Sequence, residues 1–261
     1  MKVISIIGQD RAARAALTSR LAAELRKSGT VGTILQDDAL QGERYLTSGV
    51  ELAVLVSPGS MAKITGKSTL NAALDALASE APDYAIVDGF EESVLPKIAI
   101  GAIEATNVVA TAISSIEELV KITDQQPEYI TLDLLVTQIK RSPKAKYAGS
   151  IGTFTGMVRE IAEDEKTKAL EFESYGEIAR ERINAIAEDL KKRKGILEVL
   201  IHHKTGRIEA GEDIVFIVIL SGHREELFPA LRDAIDRVKA EVPIWKKEMT
   251  VSGEYWVHDV H

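Results

Sequence analysis

At 261 residues, 45% hydrophobic and 28% charged, the chain has the proportions of a soluble globular protein and the length of two domains. A formal net charge of −8 speaks against a general nucleic-acid binder, no apolar run approaches the ~20 residues of a membrane span, and the first apolar stretch is too short for a signal peptide, so a cytoplasmic chain with neither nucleic-acid nor membrane partners is expected. Cysteine is absent, which excludes disulfides, thiolate metal sites and a persulfide carried on this chain.

The first half alternates strand and helix signals. "VISIIG" (Val3–Gly8) is a continuous apolar run of the kind a buried parallel strand needs. A helical stretch follows, with Leu17, Leu21 and Leu25 on one stripe and Gly29 as its stop. Further strands are predicted at Leu52–Ser57, Tyr84–Gly89, Lys97–Gly101 and Asn107–Ile113, with helical stretches between several of them, and the pattern is that of a mostly parallel α/β domain. "TDQQPEY" has linker composition, which sets the expected domains at 1–124 and 125–261.

The second half predicts a helix over Leu132–Arg141, strands "GSIGTFTGMVR" and "KALEFES", and a helix over Tyr175–Lys192. An antiparallel hairpin of Glu198–His203 and Ile214–Ser221 follows, turning through "GRIEAGED"; then come a helix over Glu225–Ala240 and the extended "VPIWKKE". The expectation is an α+β domain with helices on one face of an antiparallel sheet.

Three local patterns bear on chemistry. The turn after the first strand aligns with G-x-x-x-x-G-K-[ST], the loop whose backbone N–H groups cradle phosphates, but Ala13, Arg14 and Ala15 stand where Gly, Lys and Ser/Thr are required. The Ala13 methyl crowds the phosphate approach and Ala15 offers a metal no oxygen; a plain strand–helix turn is the simpler reading, even with Asp88 ending a later strand as a metal-binding acid would. In the second half, Arg159 closes a strand, and His223 and Arg224 open a helix, where backbone N–H groups favour an anion. Each alone reads as a solvated charge or a cap; together they suggest an anion pocket. Lys239 shares a helix side with Phe228, Arg232 and Ile235 and is expected at the margin of the apolar face, where partial burial would lower its pKa. Pro243 then ends the helix, and Lys246 and Lys247 are expected to point to opposite sides of an extended segment.

Two resemblances follow from these residues. The strand–loop–helix start, "YLTSGVELAVLVSPG" and "YAIVDGFEESVLPKIAI" resemble MobB, the GTP-binding adaptor of molybdenum-cofactor biosynthesis, over about the first 105 residues, with its signature loop missing. "TFTGMVR", "LEFESY", "HKTGRIEAGE", "SGHREELF", "DAIDRVKAEVPIWKKE" and "GEYWV" resemble MoaE, the catalytic large subunit of molybdopterin synthase, over about 129–257. The MoaE resemblance implies conversion of cyclic pyranopterin monophosphate (precursor Z) to molybdopterin, with sulfur arriving as a thiocarboxylate on the C-terminal Gly of a small MoaD-like partner. It implies Lys239 and Lys246 as the active-site lysines and Arg159, His223 and Arg224 as the substrate-phosphate pocket. It also implies a homodimer that forms a heterotetramer with the small subunit, and no cofactor or metal is expected. A GTP-binding adaptor or a scaffold is the alternative reading, carried by the first half.

Overall fold

The computed structural model describes residues 1–36, 52–57, 60–65, 69–112, 114–162, 165–174 and 176–257, and the chain divides into two units, Met1–Ile130 and Thr131–His261. Strand β1 (Lys2–Ile7) is apolar because it is central. It pairs in parallel with β5 (Tyr84–Asp88) on one side and β6 (Lys97–Ala99) on the other. β2 (Val31–Leu35) and β7 (Val108–Thr111) complete a parallel sheet of order β2-β5-β1-β6-β7. Leu17, Leu21 and Leu25 of helix α1 (Arg11–Leu25) pack on Ile4, Ile6 and Ile86 of the sheet. The expected strand at Leu52–Ser57 is β3, an antiparallel partner of β4 (Ser60–Thr65). The rest of "YLTSGVELAVLVSPG", and Ile113 and Tyr175, lie outside the described residues. Helices α2 (Leu70–Ala78) and α3 (Ile116–Asp124) begin at Thr69 and Ser115, whose side chains cap them.

The segment read as a linker finishes unit 1. Tyr84 donates its hydroxyl to Asp124 at 2.9 Å, Lys2 Nζ donates to the Gln126 carbonyl at 2.6 Å, and the Tyr129 N–H donates to the Met1 carbonyl at 2.8 Å. Glu128 forms an antiparallel bridge with Lys2, and the Tyr129 hydroxyl reaches Asp75 at 2.7 Å. These hydrogen bonds tie the stretch to the first strand, and the compact units meet after Ile130.

Unit 2 opens with α4 (Leu132–Lys140) and a 3₁₀ turn (Pro143–Tyr147), then β8 (Ser150–Met157). β8, β11 (Ile196–His203) and β13 (Asp213–Ser221) form an antiparallel sheet of order β11-β13-β8. Its core is Val199, Ile217 and Ile219 packed under Ile186 and Leu190 of α5 (Gly176–Leu190) and Leu227, Ala234 and Val238 of α6 (Arg224–Glu241). The single sheet expected from the sequence is in fact two. The segment "GRIEAGED" not only turns; it supplies β12 (Gly206–Glu209), which leaves the hairpin to pair with β10 (Glu165–Ser174). Left-handed corners at Gly206 (φ 82°) and Gly211 (φ 86°) allow both changes of direction. β14 (Ile244–Thr250) and β15 (Glu254–Val257) extend this second sheet in the order β12-β10-β14-β15, and the short β9 (Ile161–Ala162) pairs with β10.

Gly149 enters β8 where the chain passes the Gly222 carbonyl; a Cβ built there falls 2.4 Å from that oxygen. Since backbone yields less readily than a side-chain tip, Gly149→Ala is expected to destabilise unit 2 by about 1–3 kcal/mol. Urea unfolding followed by tryptophan emission measures it, both tryptophans, Trp245 and Trp256, lying in this unit.

Candidate active site

The two adjacent lysines of β14 separate by strand geometry. Side chains alternate across a strand, and the β10–β14 register sets Lys246 opposite Phe172 and Lys247 opposite Glu171. Phe172 is buried with Val158, Leu170 and Ile208, and Ile244 packs on that cluster, so Lys246 lies on the sheet face that carries this small core. Lys247 lies on the other face, where its ammonium sits 2.5 Å from a Glu254 carboxylate oxygen. That hydrogen bond holds the Lys247 pKa above, and the Glu254 pKa below, the ordinary value. A lysine held as an ammonium is a poor base, and only Lys246 of the pair faces the core side. On that face Glu248 accepts a hydrogen bond from the Thr167 hydroxyl.

Lys239 differs from expectation. It does share a side of α6 with Phe228, Arg232 and Ile235, but of these only Ile235 packs on the core. The buried positions are Leu227, Ala230, Ala234 and Val238, while Phe228 is 64% exposed and Lys239 itself is exposed. One residue is ~100° of helix rotation, enough to move a side chain from Val238's burial into solvent.

The three presumed anion ligands do not meet in one copy. β8 and β13 pair Ser150 with Ser221 and Met157 with Asp213. Arg159 lies just past Met157, and His223 and Arg224 just past Ser221, so they stand at opposite ends of the sheet, roughly 25 Å apart at ~3.3 Å per residue. Helix α6 starts at His223 and runs back over β13 and β8, which returns Lys239 towards the Arg159 end. His223 is the N-cap residue of α6, with no side-chain capping bond; Arg224 is exposed and 3.5 Å from Glu225. Glu225 and Glu226 already place negative charge in the first turn, which weakens the pull on a further anion there. Arg159 is exposed and forms no ion pair among the described residues.

Sequence reading passed over His203, although the "HKTG" motif contains it. Its ring meets Phe172 edge-on with centroids 5.1 Å apart. Beside His202 at a strand end, His203 gives no signal until the second sheet brings Phe172 to it. Two cavities lie away from the lysines: one of ≈700 Å³ in unit 1, bordered by Arg14, Gln36, Asn71 and Phe90, and one of ≈340 Å³ in unit 2, bordered by Lys140, Gly149 and Leu220. Among the described residues no three His, Asp or Glu side chains gather as a metal site.

The phosphate-loop position of unit 1 is filled by the chain itself. Asp10 caps α1, accepting from the N–H groups of Ala12 at 2.9 Å and Ala13 at 3.2 Å, which uses donors a phosphate would need. Arg14 Nε lies 2.5 Å from Asp88 Oδ1, and its Nη1 donates to the Gly8 carbonyl. The guanidinium therefore occupies the gap between the first strand–helix turn and the strand-end acid.

Comparison with known proteins agrees with this division. The family model described as MoaE protein matches residues 126–241. A probable molybdopterin synthase of Haloferax volcanii is 42% identical over 99% of this chain and 100% of its own length. The molybdopterin synthase catalytic subunit of Oryza sativa subsp. indica is 35% identical over 57% of this chain and 75% of its own length. The structure of Bacillus subtilis MobB covers 49% of this chain and 100% of that one at 10% identity and a TM-score of 0.38; a likeness of that size says nothing about nucleotide chemistry. The protein is thus an enzyme of molybdenum-cofactor biosynthesis. It belongs to the molybdopterin synthase family, with the MoaE catalytic-subunit module in its second half.

Arg14→Ala leaves Asp88, itself buried, without its partner, and is expected to lower the stability of unit 1 by about 1–3 kcal/mol. Thermal unfolding measures the loss. Calorimetry of the wild-type chain with Mg·GTP is expected to show no micromolar binding, because the donors and the gap are already taken.

Proposed function

We propose that the chain converts cyclic pyranopterin monophosphate to molybdopterin, taking sulfur from the thiocarboxylated C-terminal Gly of a MoaD-like small subunit. The observation that carries this reading is the β10–β14 register, which sets Lys246 alone of the lysine pair on the core side of its strand. Lys246 is assigned to the thiocarboxylate or the acyl species derived from it, and Lys239 to proton transfer at the pterin side chain; the two roles are interchangeable on present geometry. Arg159, His223 and Arg224 are assigned to the substrate phosphate, stabilising the negative charge that develops as the cyclic phosphate opens. The chain itself has no cysteine, so a donor must bring the sulfur.

The separation of the cations supports a dimer. Arg159, Lys239 and Lys246 belong to one end of unit 2, and His223 and Arg224 to the other. One phosphate cannot span roughly 25 Å of sheet, but a two-fold axis brings unlike ends of two copies together. In this arrangement each pocket takes His223 and Arg224 from the second copy, and the exposed Phe228 side of α6 gains the cover that one copy lacks. A small subunit on each copy then gives the heterotetramer, and a thin Gly-Gly tail enters where a folded donor cannot.

Lys246→Ala and Lys239→Ala are each expected to remove most molybdopterin formation from cyclic pyranopterin monophosphate and thiocarboxylated small subunit, without loss of fold. Near-wild-type turnover in both refutes the assignment. Arg159→Ala and Arg224→Ala are expected to raise the apparent KM about tenfold or more, the loss of one charge-assisted bond.

Mixing tests the shared pocket. Lys246→Ala and Arg224→Ala chains, co-refolded, form mixed dimers in which one pocket carries both lesions and the other none. Activity is expected to rise to about a quarter of wild type for random pairing in a two-fold dimer. Pockets built within one copy give no rise.

A further inference from the structure

His203, the last residue of β11, adds a polar group to the site around Lys246. Its ring packs edge-on against Phe172, centroids 5.1 Å apart and planes at 72°, and Phe172 is the residue opposite Lys246 in the β10–β14 pairing. The His203 ring and the Lys246 position are therefore both neighbours of Phe172. On the other side of Phe172 the β12 partner is Gly206, and a Cβ built there would meet nothing within 4 Å, so no side chain from that position covers this flank.

The protonation of the ring follows from its contacts. Nδ1 lies 2.6 Å from the Lys204 carbonyl oxygen. A carbonyl only accepts, so Nδ1 carries the hydrogen and donates it. Burial disfavours the charged imidazole and lowers the His203 pKa, more than the bond to Lys204 raises it. The neutral ring then presents Nε2 as a bare acceptor. Nε2 has no hydrogen-bond partner among the described residues. On the same sheet face as Lys246, Glu248 accepts a hydrogen bond from the Thr167 hydroxyl. Nε2 keeps contact with solvent, and a ligand that brings an N–H or O–H takes the place of water there.

We propose that His203 is a substrate-binding residue whose Nε2 accepts a hydrogen bond from an N–H or O–H of the heterocyclic substrate, with Phe172 fixing its distance from Lys246. This rests on the site reading given above and deepens it. Arg159, His223 and Arg224 answer the substrate's negative charge; His203 answers the donors on its ring system, which charge alone does not distinguish. Only a neutral acceptor suits that task, since an imidazolium would present a donor to a donor.

The test uses the full chain, the thiocarboxylated small subunit and cyclic pyranopterin monophosphate. His203→Phe keeps the aromatic contact with Phe172 and removes both nitrogens. His203→Asn keeps a donor towards the Lys204 carbonyl and removes Nε2. Both lose the acceptor at the Nε2 position, which the Asn amide oxygen on its shorter stem does not reach, so both are expected to raise KM about tenfold while kcat stays within about threefold, for one neutral hydrogen bond to bound substrate. Wild-type KM in His203→Phe, with melting unchanged, overturns the proposal, as does a fall in kcat at constant KM. If His203→Phe melts early, His203→Asn alone decides by the same criteria. Lys246→Ala run in parallel separates the two levels: full turnover in that variant refutes the site itself, whereas its loss together with an unaltered His203→Asn refutes only the role of His203.

Discussion

The register between β10 and β14 is the constraint on which the candidate site depends. Side chains alternate with period two, so a slip of one residue would hand the core side to Lys247 and turn Lys246 to Glu171's side. Several features resist that slip. Leu170 and Phe172 are buried on one face and would be exposed by it, Ile244 packs on the same cluster, and a shift in pairing between Thr167 and Ala169 pins the far end. The Lys247–Glu254 pair adds a tie across to β15 on the opposite face. Which of the two amines shares the apolar face is thus decided by packing two residues away.

The same logic sorts the cations throughout the chain. Arg14 is satisfied by Asp88 and the Gly8 carbonyl. Lys97 is fully buried, its ammonium donating to the carbonyls of Ser93, Leu95 and Thr106, with burial lowering its pKa. Arg237 is held by Asp189 and Glu241, which joins α5 to α6. Such groups are spent on structure. Arg159 and Lys239, exposed and without ion pairs among the described residues, stand outside that set, and the site proposed for the family's chemistry draws on them.

Much of the fold was legible because it rests on local pattern. Apolar runs gave the central parallel strands, the Leu17–Leu21–Leu25 stripe gave α1, and the alternation in "IWKKE" gave the divergence of Lys246 and Lys247. What failed was long-range. "GRIEAGED" holds a strand whose partner lies some forty residues upstream, and no periodicity within it says so. The side of α6 bearing Lys239 was identified, but its burial was not, because the core side is fixed by what packs on the helix and not by spacing along it. The anion ligands were read as one cluster from residue type; the β8–β13 register places them at two ends. His203 stayed silent because its neighbour Phe172 comes from another sheet.

The tie between Met1 and Tyr129 has a temporal side. The carbonyl of the first residue waits for the amide of the one hundred and twenty-ninth, and Lys2 waits for Glu128. Chains leave the ribosome N-terminus first. Unit 1 therefore stays unfinished along that edge until nearly half the polypeptide has emerged, although β1 is the earliest strand made. A fragment ending at residue 124 lacks the partners of Met1 and Lys2, and one ending at 130 has them.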